Sequence, residues 1–288
     1  MIKEITKDIL KEVYEKRSLD SRKYDFGLLV VIGGSEFYSG SPALSAMAAF
    51  KTGVDMVRIF APKRAADIAA SFSPNLAAYP LAGDWLKKEH LSILVTQTEA
   101  AKQVARGKAA VVIGGGAGRS KETQEVILKY LSEISLPAII DADAINALEG
   151  NAGVIAGKSF LVLPHSQEFF VLTGKTIKGL SDEDKIKLVE SEAGRLQTTI
   201  LLKGKIDIIS DGKETAVNKT GSPYMTVGGT GDVLAGICGA LMAKGIPSNL
   251  AAKAGAFING KAGELASARK KDSFLATDLI EAIPEAIQ

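Results

Sequence analysis

Val227-Gly228-Gly229-Thr230-Gly231-Asp232-Val233-Leu234-Ala235-Gly236 sets three glycines within four positions, then a carboxylate, then an apolar run to Met242. Glycines reach backbone angles that turn several N–H groups toward one point. The Ala-, Leu- and Gly-rich run that follows reads as a buried helix starting near Gly229, whose N-terminus offers unpaired N–H groups and a dipole that favours an anion. The stretch therefore has the chemistry of a phosphate cradle with one acid set into it. A carboxylate beside a phosphate is repelled by it, a cost that makes sense where the acid takes a proton from an attacking hydroxyl. The same residues would also serve as a flexible turn with Asp232 as a helix cap.

Other residues with usable chemistry are spread along the chain. Gly114-Gly115-Gly116-Ala117-Gly118 resembles a dinucleotide loop without the strict G-x-G-x-x-G spacing, and a tight strand-to-helix turn explains it equally well. Asp141 and Asp143, two apart and extended, would point to one side and hold Mg²⁺ through water or a sugar hydroxyl; capping of a short helix at Ala144–Leu148 is the alternative. In Pro164-His165-Ser166-Gln167-Glu168, an imidazole and a carboxylate one helical turn apart can share a face. Too few further ligands accompany them for zinc, and Glu168 suits an acid near a nucleotide-bound Mg²⁺, reached through water. Lys203-Gly204 would set an ammonium or an N–H against a phosphate, or leave a surface lysine. The other histidine, His90, follows Lys87-Lys88-Glu89 and reads as solvated.

These residues need a frame that brings them together. Leu28–Ile32, Val54–Phe60, Ala109–Ile113, Pro137–Ile140, Phe160–Leu163 and Thr199–Leu202 are short apolar runs of the kind found in buried parallel strands. Ile206–Ser210 and Thr215–Asn218, joined through Asp211-Gly212, predict a hairpin. Helices are expected over residues 2–17, 43–50 with Pro42 in the first turn, 120–132, 229–243, 248–268 and 275–282. Alternation of strands and helices predicts an α/β fold with a mostly parallel central sheet and helices on both faces. Ligands bind such sheets outside the carboxyl ends of the strands. Gly33–Ser35, Gly114–Gly118, Asp141–Asp143, His165–Glu168 and Lys203–Gly204 all fall there, so one rim is expected to carry one site. The sequence shows no linker, and a single domain over residues 1–288 is expected.

Bulk properties narrow the function. The chain has 288 residues, 46% of them hydrophobic and 24% charged, with a formal net charge of +2 and mixed signs. That balance gives no basic patch for nucleic acid. The one cysteine, Cys238, sits in the presumed buried helix and supports neither disulfides nor a Cys-based metal site. No uncharged run reaches a membrane span, and the N-terminus lacks the features of a signal peptide, so a cytoplasmic protein with no membrane or nucleic-acid partner is expected.

Gly33-Gly34-Ser35, Gly40, Asp141-Ala142-Asp143-Ala144-Ile145-Asn146, Pro164-His165-x-x-Glu168-Phe169, Lys203-Gly204 and Gly228-Gly229-Thr230-Gly231-Asp232 occur in an order that resembles the ADP/ATP-dependent NAD(P)H-hydrate dehydratases of the ribokinase-like superfamily. The likeness runs from about Asp25 to the C-terminus. The glycine loop with its acid marks only the superfamily; its combination with the DADA-x-N and PHxxE runs is far more specific.

The resemblance implies a ribokinase-like fold and repair of nicotinamide nucleotides, in which (6S)-hydrated NADH or NADPH is dehydrated with ADP or ATP as phosphoryl donor and Mg²⁺. By motif, Asp232 is the implied catalytic base and Gly228, Gly229, Thr230 and Gly231 the anion hole. Ser41, Gly116, His165 and Asp232 would contact the hydrated nucleotide. Lys203, Gly204, Lys205, Ile206, Asp207 and Gly231 would line the adenine nucleotide, and Glu168 would lie near the metal. A homo-oligomer is expected. The chain length leaves no room for the epimerase domain fused to many relatives. The sequence departs from the family at Gly114-Gly115-Gly116, where Gly-Pro-Gly is usual, and at Ser41, where Ala is usual. It also departs at Ser166-Gln167, where Pro-Gly is common, and at Gly221–Met225, where Asn-Pro-Gly-Met is common. A kinase of the same superfamily acting on a thiamine-precursor alcohol would use the same phosphate loop, and a nucleotide sensor would bind without turnover.

Overall fold

Leu28-Leu29-Val30-Val31-Ile32 has no polar side chain, and such a strand must be covered on both faces. In the computed structural model, which describes residues 2–288, it forms β2 (Leu28–Ile32), an interior strand, third from one edge of a ten-stranded sheet. The other strands are β1 (Lys3–Glu4), β3 (Met56–Pro62), β4 (Ala77–Leu81), β5 (Ala109–Ile113), β6 (Ala138–Ile140), β7 (Phe160–Val162), β8 (Thr199–Leu202), β9 (Asp207–Ser210) and β10 (Thr215–Asn218). Their order is β1-β10-β9-β8-β7-β6-β5-β2-β3-β4. Only the β8–β9 and β9–β10 pairs are antiparallel, and β9–β10 is the expected hairpin.

Alternate residues of β2 go to opposite layers. Leu29 and Val31 pack with α2 (Ser41–Thr52), α9 (Thr230–Ala243), α10 (Ser248–Lys270) and α11 (Ala276–Ile287). Leu28, Val30 and Ile32 pack with α4 (Leu91–Val104), α5 (Lys121–Glu133), α6 (Asp143–Ala147), α7 (Ser166–Thr173) and α8 (Asp182–Leu196). The result is the expected α/β sheet with helices on both faces. The chain leaves β2 for β3 and β4 on one side, then returns to place β5 on the other. The crevice beyond the carboxyl ends of β2 and β5 is thus the switch point at which open α/β sheets bind ligands.

The N-terminal segment departs from the expected helix over 2–17. Lys3–Glu4 instead pairs with the outer edge of β10, Ile5 N–H continues to Val217 O at 2.9 Å, and only α1 (Ile9–Val13) is helical. The unpaired groups of a sheet edge compete with local helix formation, while Ile5, Leu10 and Val13 still reach the core. His90 is buried rather than solvated: it closes a turn in which its Nδ1 accepts from Lys87 N–H at 3.1 Å. Cys238 is a buried free thiol, as expected. Among the described residues no helix is long and apolar enough to cross a membrane.

Candidate active site

Two helices deliver their N-termini to the switch point. α2 follows β2 through Gly33–Gly40, with Pro42 in its first turn where its missing N–H costs nothing. α9 starts at Gly229, whose left-handed backbone (φ 95°) turns the chain into the helix. The helices cross at backbone distance: a Cβ at Gly236 would lie 2.1 Å from Ser45 O, so no other residue fits there. That crossing fixes the first turn of α9 against α2. Ser45 Oγ donates to Asp232 O at 2.9 Å, and Ser41 Oγ donates to Asp232 Oδ2 at 3.0 Å.

The loop after β5 closes the same pocket. Gly34 N–H donates to Gly115 O at 2.8 Å, joining the β2 and β5 loops. A side chain at Gly115 would come within 2.5 Å of Asp232 Oδ1. Gly115, more than Gly116, is therefore the glycine whose missing side chain leaves room for the Asp232 carboxylate. Burial pushes that carboxyl up to about 7, with Asp141 and Asp143 adding to the shift and the Ser41 hydroxyl and Lys203 ammonium opposing it. A carboxylate with such a value is a competent base near neutral pH.

Next to Asp232, the N–H groups of Gly229, Thr230 and Gly231 lie at the start of α9, where the first N–H groups of a helix have no intrahelical partners. Thr230 Oγ1 donates backward to Met225 O and Val227 O at 3.1 and 3.2 Å, which holds the loop before the helix in place. The α9 dipole and these N–H groups suit phosphate oxygens.

On the far side lies a chain of alternating charges. Lys203, at the end of β8, donates to Asp141 Oδ1 at 2.7 Å and lies 3.6 Å from Glu168 Oε2. Burial works against the ammonium, but Asp141, Glu168 and Asp232 outweigh it and raise its pKa above the usual lysine value. A Cβ placed on Gly231 would be 3.7 Å from both Lys203 Nζ and Asp141 Oδ2, so the pair borders the phosphate cradle. His165 and Glu168 form a reciprocal cap on α7: His165 Nδ1 accepts from Gln167 and Glu168 N–H, and Glu168 Oε2 accepts from His165 N–H at 2.8 Å. Glu168 Oε1 lies 3.5 Å from His165 Nε2. Gly204 N–H donates to Asp207 Oδ1, and Asn218 Nδ2 to Asp207 Oδ2, both at 3.1 Å; burial raises the Asp207 carboxyl to about 6 against these bonds and the Lys203 charge. Lys205 and Gly228 are exposed, and Ile206 is half-buried.

Asp141 and Asp143 do not point to one side. Ala142 between them takes φ 50° and ψ −120°, so the backbone is not extended there. Asp141 turns to Lys203, whereas Asp143 accepts from Gly118 N–H at 2.8 Å and Arg119 Nε at 2.7 Å. Neither caps α6 through its side chain at the position before the helix. The structure thus gathers Ser41, Asp232, Lys203, Glu168 and the glycines of 228–231 about one rim, with Gly116 and His165 at its edges. Sequence reasoning left Gly115 and Ser45 out of this group. The spacing of Ser41 and Ser45 by one helical turn was the available signal for the second.

Among the described residues no three potential ligands cluster into a metal cage. The donor set does fit a Mg²⁺ ion brought by nucleotide phosphates, since such ions keep most of their waters and take one or two carboxylates.

A sequence model of the NAD(P)H-hydrate dehydratase family matches residues 29–285. The bifunctional NAD(P)H-hydrate repair enzyme Nnr of Hyperthermus butylicus is 41% identical over 279 residues, covering 94% of this chain and 50% of that protein. The chain thus spans about half the length of the curated relatives of this bifunctional kind. The ADP-dependent (S)-NAD(P)H-hydrate dehydratase of Cenarchaeum symbiosum is 36% identical over 285 residues, 99% of this chain and 96% of that protein. Among solved structures, a ribokinase-like superfamily protein of Enterococcus faecalis superposes with a TM-score of 0.83 at 25% identity, over 99% of this chain and 95% of that one. The fold is ribokinase-like.

Proposed function

The chain belongs to the NAD(P)H-hydrate dehydratase family, and on that premise we propose that it dehydrates (6S)-hydrated NADH and NADPH at the expense of ADP or ATP. The observation that carries the reading is the Asp232 carboxylate, held by the Ser41 hydroxyl at the N-terminus of α9 beside free backbone N–H groups.

The hydrate bears a hydroxyl on the ring carbon next to nitrogen, and hydroxide leaves poorly. Asp232 accepts the hydroxyl proton as that oxygen forms a bond to the terminal phosphorus of the nucleotide, and the bond from phosphorus to the bridging oxygen breaks. Backbone N–H groups of Gly228 to Gly231 and the Lys203 ammonium stabilise the charge on the phosphoryl oxygens. The ring nitrogen lone pair then expels phosphate. Loss of a proton from the adjacent carbon restores the dihydronicotinamide, leaving phosphate and the shortened nucleotide. Mg²⁺ would neutralise the nucleotide's phosphate charge, held through water by Glu168 and the free oxygen of Asp141. Ser41, Gly116 and His165 border the substrate, while Lys203–Asp207 border the adenine nucleotide.

The same reading takes residues 1–288 as one domain, working in the cytoplasm as a homo-oligomer; the lone buried thiol suits a reducing compartment. The test is incubation with freshly hydrated NADH and ADP or ATP, followed by reduced-nicotinamide absorbance and released phosphate. Recovery of NADH that requires nucleotide supports the reading. Recovery at the same rate without nucleotide, or a phosphorylated product that persists, overturns it, the latter in favour of a kinase.

A further inference from the structure

Phe37 and Tyr38 stand at the rim of the pocket with 77% and 58% of their surface exposed. Their rings meet edge to face, with centroids 4.9 Å apart and planes at 83°. Exposed aromatics are common on mobile loops, but the backbone here is pinned at several points. Ser35 N–H donates to Tyr38 O at 3.1 Å, and Tyr38 N–H to the hydroxyl of the fully buried Ser35 at 3.3 Å. Glu36 N–H donates to Asp84 O, and Arg64 Nε to Glu36 O, both at 2.9 Å. The loop is therefore built to hold two large rings out of the core in a fixed place.

That place adjoins the chemistry. A Cβ on Gly116 would lie 2.7 Å from Tyr38 Cβ and 3.4 Å from Ser41 Oγ, so Tyr38 and the hydroxyl that grips Asp232 flank the same glycine. Tyr38 also lies three residues before Ser41, in the loop that leads from β2 into α2. No other part of the mechanism above uses these rings.

Resting on the proposed function, we infer that Tyr38, braced by the edge of Phe37, is the platform on which the nicotinamide ring of the substrate stacks. It is a positioning and specificity residue rather than one that moves protons. The geometry favours the nicotinamide end over the adenine end because the reacting ring must reach Asp232, and Tyr38 shares Gly116 with Ser41. A fixed ring presents a flat apolar face at little entropic cost, and stacking on an aromatic side chain is worth about 1–3 kcal/mol per ring, or roughly 5- to 150-fold in affinity.

The test compares Tyr38→Ala, Tyr38→Phe and Phe37→Ala with the wild type, and uses Phe72→Ala, an exposed aromatic at the end of α3 (Lys63–Phe72), as a control. Tyr38→Ala raises KM for hydrated NADH roughly tenfold with kcat nearly unchanged, the mark of lost ground-state binding. Tyr38→Phe stays near wild type, Phe37→Ala lies between, and Phe72→Ala and the KM for nucleotide do not move. The sole tryptophan, Trp85, lies against Gly118 of the glycine loop, so energy transfer from Trp85 to bound NADH reads binding without turnover. It should show the same loss of affinity in Tyr38→Ala. The hydrate of reduced nicotinamide mononucleotide, which has no adenine, should suffer the same penalty. A penalty seen only with the dinucleotide puts the stack at the adenine and overturns the inference. So does an unchanged KM, or a change of solution mass in Tyr38→Ala that marks the pair as a subunit contact. A wild type active on the hydrate with a normal Tyr38→Ala variant defeats this inference alone; a wild type that neither turns over hydrate nor binds NADH defeats the functional reading with it.

Discussion

Ser41 Oγ donates to Asp232 Oδ2 at 3.0 Å across 191 residues of sequence, and among the described residues it is the one hydroxyl bonded to the carboxylate of the proposed base. A donor to a carboxylate favours the charged form, and the Ser41 hydroxyl holds the Asp232 pKa below what burial alone would give. Replacing it by the alanine usual in the family removes that brake. Ser41→Ala is expected to shift the ascending limb of the pH profile of kcat/KM upward by about 1 unit, from a wild-type limb near 7, with the plateau rate reduced less than tenfold. Rates measured between pH 5.5 and 9 check this; an unmoved limb would detach Ser41 from the base.

Asp232→Asn separates catalysis from stability. Asp232 is the third residue of α9, and the cap position belongs to Gly229 with no side-chain cap bond, so the helix does not depend on the acid as a cap. The amide cannot take a proton, and turnover should fall about 10²–10⁴-fold. The folded-state pKa is raised from 3.8 to about 7, so the folded protein binds more protons than the unfolded chain between those values. Stability from this group is therefore present below about pH 4 and is lost as pH rises through 7. Asp232→Asn escapes that loss: it should melt several degrees above wild type at pH 8 and no higher at pH 4. Nucleotide should bind at least as tightly, because one repulsive charge has gone.

Much of this site was legible in the sequence because buried parallel strands announce themselves as uninterrupted apolar runs. β2, β5, β6, β7 and β8 were readable, and the polar or glycine residues after each fell onto one rim. What was not legible depended on partners distant in sequence. Lys3–Glu4 becomes a strand only because β10, over 200 residues later, offers an open edge. Asp141 finds Lys203 62 residues away, and Asp143 goes elsewhere because Ala142 leaves the extended region; spacing alone placed the two acids together. His90 looks solvated among charged neighbours, yet the packing of its turn buries it.

Lys203 compensates two buried acids, since Asp141 and Glu168 retain only 5% and 7% of their side-chain surface. Removing one partner of a buried pair leaves charge unpaired and costs about 3–5 kcal/mol when burial is complete. With 20% of the Lys203 side chain still exposed, the low end applies, and Lys203→Met is expected to lower stability by about 3 kcal/mol. Denaturant unfolding checks the size. The double variant Lys203→Met/Asp141→Asn should recover part of it, because the pair is coupled. Additive losses would mean that the contact carries no weight. Turnover should fall in both, as the ammonium also borders the phosphate cradle.

Gly115 offers the most local test of the pocket's shape. A Cβ built there meets Asp232 Oδ1 at 2.5 Å and Ser41 Cβ at 3.2 Å, and its backbone lies outside the left-handed region, so alanine adds a methyl group without backbone strain. The nearest atom is a side-chain oxygen that can turn aside. The carboxylate would give way and the fold should persist, with an unfolding midpoint within a few degrees of wild type. The displaced Asp232 would lose its bond from Ser41 and its aim at the substrate hydroxyl, and a misplacement of about 1 Å costs on the order of 10²-fold in rate. Gly115→Ala is therefore expected to match the lower range of the Asp232→Asn defect while binding nucleotide normally. Adding Gly115→Ala to Asp232→Asn should cost almost nothing more, because both act through one group. A well-folded Gly115→Ala enzyme with wild-type turnover would show that the Asp232 carboxylate does not work from the position it holds between Gly115 and Ser41.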